Sequence, residues 1–172
     1  KDVMSFIKKS NHKLNLYPDS NPDELHKLLA NNVGYRMNSN NIILGNGSNE
    51  VLEFIVRANV DYKSEVIIPR HSFLVYEIIS KLQNAKIITT RPDNDKASEN
   101  YLGIDLELVR EKITKKTRAI YAIHYAGNSC EIEKIAKLAK RKRIYLIEDA
   151  AHSFLAKYKN KFLGTIGDIG VF

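Results

Sequence analysis

The run Ile144-Tyr145-Leu146-Ile147-Glu148-Asp149-Ala150-Ala151-His152 constrains this chain more than any other stretch. Four mostly branched, apolar residues in succession read as a strand buried on both faces, the pattern of a parallel sheet with helices on either side. Two acids follow where such a strand leaves the sheet. In open α/β sheets ligands sit at that carboxyl edge, so an acid there stays solvated while the strand behind it fixes its position. Asp149 is the first candidate for chemistry. A plainer reading is open at this point: Glu148 and Asp149 end a strand and cap a turn.

The rest of the chain alternates in the way that strand requires. Ile42-Ile43-Leu44 reads as a short strand entering Gly45-Asn46-Gly47-Ser48-Asn49-Glu50, with a helix after it that carries Val51, Leu52, Ile55 and Val56 on one face. Strands are expected over 65–69, 86–90, 118–124 and 144–147. Helices are expected over 72–82, 105–113 and 131–141, the last with Ile132, Ile135, Ala136 and Ala139 inward. Asn21-Pro22-Asp23-Glu24 has the cap, proline and acids of a helix start, and predicts a helix through Asn31 with Leu25, Leu28 and Leu29 buried. Residues 14–19 look like an extended arm, 91–100 a polar loop and 158–162 a small hairpin. Gly170-Val171-Phe172 begins another strand. Strands alternating with helices predict an α/β fold of three layers, αβα, around a mainly parallel sheet with right-handed crossovers.

Composition narrows the function classes. A chain of 172 residues, 44% hydrophobic and 27% charged, fits one ordinary globular domain. Its apolar runs are too short for a membrane span, and a single cysteine, Cys130, excludes an internal disulfide or a cysteine zinc cluster; no metal site is expected. A reducing cytoplasm is the simplest home. The net charge of +7 invites a nucleic-acid reading. Much of the excess, however, lies in Lys134, Lys137, Lys140, Arg141, Lys142 and Arg143, on the outer face and last turn of one helix, where cations favour the dipole. No aromatics interleave there to stack on bases, so neither nucleic acid nor membrane is expected as a partner.

The glycine turn before Ser48 can hold a phosphate, because backbone N–H groups converge at a helix start and the dipole favours an anion. It is neither a Walker loop nor a GxGxxG fingerprint, and a tight connection would look the same.

Taken together these residues resemble the fold-type I pyridoxal-phosphate (PLP) aminotransferases over nearly the whole chain. Leu16-Tyr17-Pro18-Asp19, the segment from Ile42 to Glu50, Ile68-Pro69 and Tyr76-Glu77-Ile78 are similar to histidinol-phosphate aminotransferase. From about Thr114 onward, Thr117-Arg118-Ala119-Ile120, His124-Tyr125-Ala126-Gly127, Ile147 to His152 and Gly164-Thr165-Ile166-Gly167-Asp168 resemble the DegT/DnrJ/EryC1/StrS sugar aminotransferases. The resemblance implies the incomplete large domain of the type I PLP fold over residues 21–172, an N-terminal arm over 1–20, and a small C-terminal domain that is absent.

It also implies roles. Asp149 would be the catalytic carboxylate beside the pyridine nitrogen. Gly47, Ser48 and Asn49 would cup the phosphate, and Tyr76 would stack on the ring. His152 would approach the phenolic oxygen, and Tyr17 would reach the cofactor phosphate of a neighbouring subunit, making a homodimer with shared sites. His124 and Cys130 carry no catalytic role. The Schiff-base lysine of the family follows a strand like Gly170-Val171-Phe172, beyond the last residue, so the chain reads as an aminotransferase fragment, inactive alone. Its full-length form would move an amino group from a donor such as glutamate to a keto-sugar nucleotide or a histidinol-phosphate-like acceptor. Two alternatives remain: a PLP-dependent dehydratase on the same fold, with histidine in place of lysine, and a noncatalytic PLP-fold or basic binding module.

A sheet that breaks off as a strand begins carries an unpaired edge. The 172-residue stretch expressed alone is therefore expected to aggregate; size-exclusion chromatography and thermal melting check this, and a monodisperse, cooperatively melting species would contradict it.

Overall fold

A computed structural model describes residues 2–10, 15–17, 23–33, 37–92, 96 and 104–172. The Asn21-Pro22 helix start, Leu14, Pro18, Asp19 and most of the 91–100 loop lie outside the described residues. The chain divides into two compact units, residues 1–44 and 45–172.

Among the described residues the first unit holds α1 (Asp2–Ser10), α2 (Asp23–Val33) and a 3₁₀ turn at Ser39–Asn41. The expected extended arm did not anticipate α1. In α2 the buried positions are His26 and Ala30, whereas Leu25 and Leu28 are exposed and Leu29 half-buried. The helix turns a narrower face inward than a leucine stripe requires, since what it packs on within this unit is the short polar turn at 39–41. Ile42–Leu44 also departs from expectation. It runs extended but joins no ladder among the described residues, and Ile43 is 67% exposed. Apolar residues favour a strand only where a neighbouring strand supplies the hydrogen bonds.

The second unit follows the predicted alternation closely. It contains α3 (Ser48–Asn59), β1 (Glu65–Pro69), α4 (Leu74–Leu82), β2 (Lys86–Thr90), α5 (Leu106–Lys112), β3 (Ala119–Ile123), α6 (Ile132–Lys142) and β4 (Tyr145–Asp149). The hairpin β5 (Lys157–Tyr158) and β6 (Lys161–Phe162), then β7 (Ile169–Val171), complete it. β1 and β2 pair in parallel, as do β3, β4 and β7 with β4 in the centre. One parallel bridge, Glu65 to Thr117, sets the base of β1 beside the start of β3. Glu65 reinforces that corner. Its carboxylate accepts from Thr114 Oγ1 at 2.7 Å and Lys86 Nζ at 3.1 Å, and these two bonds hold it below the usual carboxylate range.

Alternation along β4 sorts the core into two layers. Ile147 packs with Leu52, Ile55 and Val56 of α3, Ile79 of α4, and Val171. Leu146 faces the other way, among Ile132, Ile135 and Ala139 of α6 and Ala122 of β3. Leu138 joins the buried face of α6 in place of Ala136, which is only partly covered. By the same parity Asp149 emerges on the α3–α4 side and Glu148 on the α6 side.

The glycines of the 164–170 segment have a steric reason. A β-carbon on Gly167 would lie 2.6 Å from the Leu146 carbonyl oxygen, and one on Gly170 would collide with the Gly164 carbonyl. Asp168 then closes the junction, its side chain accepting from Leu146 N–H and its own N–H donating back to Leu146 O, each at 2.8 Å. Gly167→Ala and Gly170→Ala in the full-length protein should each lower stability by about 1–3 kcal/mol or more, as overpacking does; denaturant unfolding of the purified variants measures it.

Candidate functional site at the carboxyl edge of β4

The two acids that end β4 have separate jobs. Glu148 is fully buried and accepts four hydrogen bonds. Gly164 N–H donates at 2.9 Å, Ile166 N–H at 2.6 Å, Gly167 N–H at 2.5 Å, and His124 Nε2 lies 2.9 Å away. Burial alone would raise its pKa, but the donors from His124, Gly167, Gly164 and Ile166 outweigh it and hold the carboxylate below its ordinary value. His124 is itself fully buried, with Nδ1 accepting from Cys130 N–H at 3.4 Å, so the bonding assigns the ring proton to Nε2. Cys130 Sγ sits 3.7 Å from the same Nδ1. The line Cys130–His124–Glu148 has the connectivity of a nucleophile relay without its electrostatics: burial and then the Glu148 charge push the thiol up to about 12, which keeps it protonated and unreactive.

Asp149 belongs to the other face. It is 8% exposed, with Oδ1 accepting from Ala151 N–H at 3.2 Å and Oδ2 accepting from the Tyr76 hydroxyl. Its backbone is held as well, the carbonyl accepting from His124 N–H at 3.0 Å. Tyr76, on α4, is buried and touches two other rings. Phe73 lies near-perpendicular to it with centroids 6.1 Å apart, and Tyr121 of β3 lies tilted at 5.3 Å. Burial, then the bond to Asp149 and its charge, raise the Tyr76 phenol far above its ordinary range, so it remains a donor. Burial with the nearby Asp149 charge raises Tyr121 too.

The glycine turn lies at the start of α3, the helix that packs on the Asp149 face. Gly47 has φ 78° and ψ 173°, a conformation only glycine adopts readily, and nothing approaches within 4 Å of where its β-carbon would be. Its own N–H is spent on Gly45 O at 2.9 Å, and Glu50 takes the Asn46 N–H at 2.6 Å. The N–H groups of Ser48 and Asn49 occupy the first two helical positions, where no intrahelical acceptor exists. Of the three expected phosphate contacts, the backbone of Ser48 and Asn49 is available for one and that of Gly47 is engaged.

His152 is exposed in the turn after β4, its ring against Tyr125 at 5.4 Å. Tyr17 belongs to the first unit and is 100% exposed. Phe73 was not anticipated beside Tyr76; its cue was an aromatic three positions earlier, just past a strand end. The cavity under Tyr76 and Tyr121, lined also by Val56 and Ile68, measures about 30 Å³. That is room for one water molecule, so a larger ligand would use the open edge of the sheet. Among the described residues there is no cluster fit to hold a metal and no helix long and apolar enough to cross a membrane.

The family model for the DegT/DnrJ/EryC1/StrS aminotransferase family matches residues 14–172. GDP-perosamine synthase of Escherichia coli O157:H7 is 33% identical over 129 residues, covering 75% of this chain and 34% of that protein. Histidinol-phosphate aminotransferase of Helicobacter hepaticus is 26% identical over 165 residues, 92% of this chain and 43% of that protein. Alanine aminotransferase from Pyrococcus furiosus shares the fold, with a TM-score of 0.75 at 22% identity over 94% of this chain and 42% of that one. The chain thus spans about a third of the length of several curated relatives it matches.

Removing the Glu148 carboxylate strands three N–H groups and a histidine in the interior. Glu148→Ala should cost about 3–5 kcal/mol, the range for breaking a buried charged pair. Because Glu148 is held below its ordinary 4.5 in the folded state, its contribution is complete above that pH and is lost as pH falls through the folded value. Melting curves of the full-length protein should drop on acidification below about pH 4.5. Glu148→Gln, less stable at neutral pH, should lose less over the same interval.

Proposed function

Because the chain belongs to the DegT/DnrJ/EryC1/StrS aminotransferase family, we propose that the full-length protein is a PLP-dependent aminotransferase and that this chain supplies the wall of its cofactor site. One observation carries the reading: Asp149 leaves β4 on the same face as α3, whose open N-terminus begins at the glycine turn. The residues present fit the group. A helix start with unclaimed N–H groups and a Ser48 hydroxyl suits a phosphate. A carboxylate held at both oxygens suits a protonated ring nitrogen. When bound, PLP supplies an electron sink for charge developing at the substrate carbon that bears the amino group.

The chain's own residues do the rest. Asp149 keeps the proton on the ring nitrogen, with a charge-assisted bond of about 1.5–3 kcal/mol. Ser48 and Asn49 hold the phosphate end through their N–H groups, and Gly47 provides the backbone turn that aims them. His152 is exposed beside Tyr125, three residues past Asp149; by the family resemblance it would approach the phenolic oxygen. Tyr17, fully exposed, would reach the phosphate of a second copy, so that the working form would be a homodimer; the cytoplasm is its expected location. Similarity to GDP-perosamine synthase and to a dTDP-3-amino-3,6-dideoxy-alpha-D-galactopyranose transaminase favours a keto-sugar nucleotide as acceptor, with an amino acid as donor.

The test is made on the full-length protein. It should take up PLP with a yellow absorbance band, and Asp149→Ala should lose about 100-fold or more in turnover, the scale of a charge-stabilising group, while retaining its fold. Ser48→Ala should weaken cofactor binding by about tenfold. A protein that takes up no PLP, or an Asp149→Ala variant with nearly intact turnover, would overturn the assignment.

A further inference from the structure

The turn after β4 is exposed at every residue from 151 to 155 except one. Ala151, His152, Phe154 and Leu155 face solvent, the last two at 75% and 67%, while Ser153 is 1% exposed. A small polar residue turned inward while bulky apolar ones stay outside needs a partner for its hydroxyl. Ser153 Oγ donates to the His124 carbonyl at 2.6 Å. Its N–H donates to Ala150 O at 2.8 Å, and its carbonyl accepts from Ala156 N–H at 3.0 Å. Leu155 is held at φ 62°, a region that a side chain of its size seldom enters. Backbone of that kind persists where neighbouring bonds fix it.

The acceptor is itself anchored. The His124 ring is buried against Glu148 and Cys130, and its backbone N–H donates to the Asp149 carbonyl at 3.0 Å. The next residue, Tyr125, meets the His152 ring with centroids 5.4 Å apart and planes at 62°. Two consecutive residues after β3 thus hold two consecutive residues after β4, His124 by the bond from Ser153 and Tyr125 by ring contact with His152. His124 is bonded to both ends of the turn, to Asp149 through its N–H and to Ser153 through its carbonyl.

We propose that Ser153 is a positioning residue acting through His152: its hydroxyl sets the distance between the His152 imidazole and the Asp149 carboxylate. The proposal rests on the PLP reading above, in which Asp149 meets the ring nitrogen and His152 the phenolic oxygen. Those two atoms belong to one rigid aromatic system at a fixed separation, so the groups that meet them must keep one spacing. A pair spaced beforehand needs no reorganisation when the ring arrives. The strand fixes Asp149. His152 stands on an exposed turn, and the buried peg beside it supplies what the strand does not.

The full-length protein tests this with Ser153→Ala, His152→Ala and the double variant. Ser153→Ala deletes the hydroxyl and adds no bulk. Three quantities are read: the PLP dissociation constant by spectrophotometric titration of apoprotein, the pH midpoint of the bound coenzyme's absorbance change, and the melting temperature of the apoprotein. Each single variant should raise the dissociation constant about three- to tenfold, the range of one hydrogen bond. Both should move the pH midpoint in one shared direction. The double variant should match His152→Ala within about twofold, because residues that act as a unit do not add. Losses that multiply in the double variant would show that Ser153 only secures the fold, and would overturn the proposal. So would a Ser153→Ala protein that melts lower while its PLP constant and pH midpoint stay at wild-type values. Hydrogen exchange of the unaltered apoprotein needs no variant: amide 153 should be protected inside its exposed turn, and free exchange there would also overturn the proposal. Should the wild-type protein take up no PLP at all, the coenzyme reading falls and this one with it; normal uptake with an additive double variant sinks this one only.

Discussion

The carboxylate of Glu148 is the constraint around which the second unit closes. A charge with no solvent exposure is costly unless its lone pairs are filled, and four donors fill them: three N–H groups of the 164–167 turn and the His124 ring. The turn can present its N–H groups inward because its glycines tolerate close approach to Leu146 and Phe172. Each piece is meaningless without the others. His124 follows β3, Glu148 is the penultimate residue of β4 and the turn leads into β7, so one buried anion ties the ends of β3 and β4 to the segment that enters β7.

That rigidity is what Asp149 inherits. Alternation sends it to the opposite face from Glu148, yet its backbone is pinned by the same edge: its carbonyl accepts from His124 N–H, and Ala150 N–H donates to Val171 O at 2.8 Å. The strand end is thereby held by one acid and presents the other. Two adjacent carboxylates thus have opposite surroundings without any change of element, one saturated by internal donors and one reached by a phenol and a single N–H.

How much of this was legible beforehand follows from which interactions are local. Strands 65–69 and 86–90, the inward residues of α3 and the bulk of α6, and the parallel pairing could be read from periodicity, because each depends on its own residues and one buried layer. The place of Asp149 at the end of β4 was legible for the same reason. Apart from α1, a local helix that was not anticipated, the failures are non-local. Ile42–Leu44 has strand composition but no ladder partner among the described residues, and composition cannot supply one. The leucines of α2 look like a buried stripe, while burial in the first unit falls on His26 and Ala30, a choice made by what the helix packs against. Glu148 was visible as an acid at a strand end, but its donors come from sixteen to nineteen residues downstream. Their convergence is encoded in the spacing of Gly164, Gly167 and Gly170, which reads as a turn until the Leu146 carbonyl is seen beneath it.

Tyr76 shows where such reading stops in the site itself. An aromatic residue on a helix near a ligand edge can offer its face, its edge or its hydroxyl, and the sequence does not say which. Here the choice is made by neighbours that come from other elements, Tyr121 from β3 and Asp149 from β4, each more than forty positions away. Tyr121 packs on the ring and Asp149 takes the hydroxyl, so most of Tyr76 is spent on other side chains, whereas Phe73, one turn earlier, stays 51% exposed.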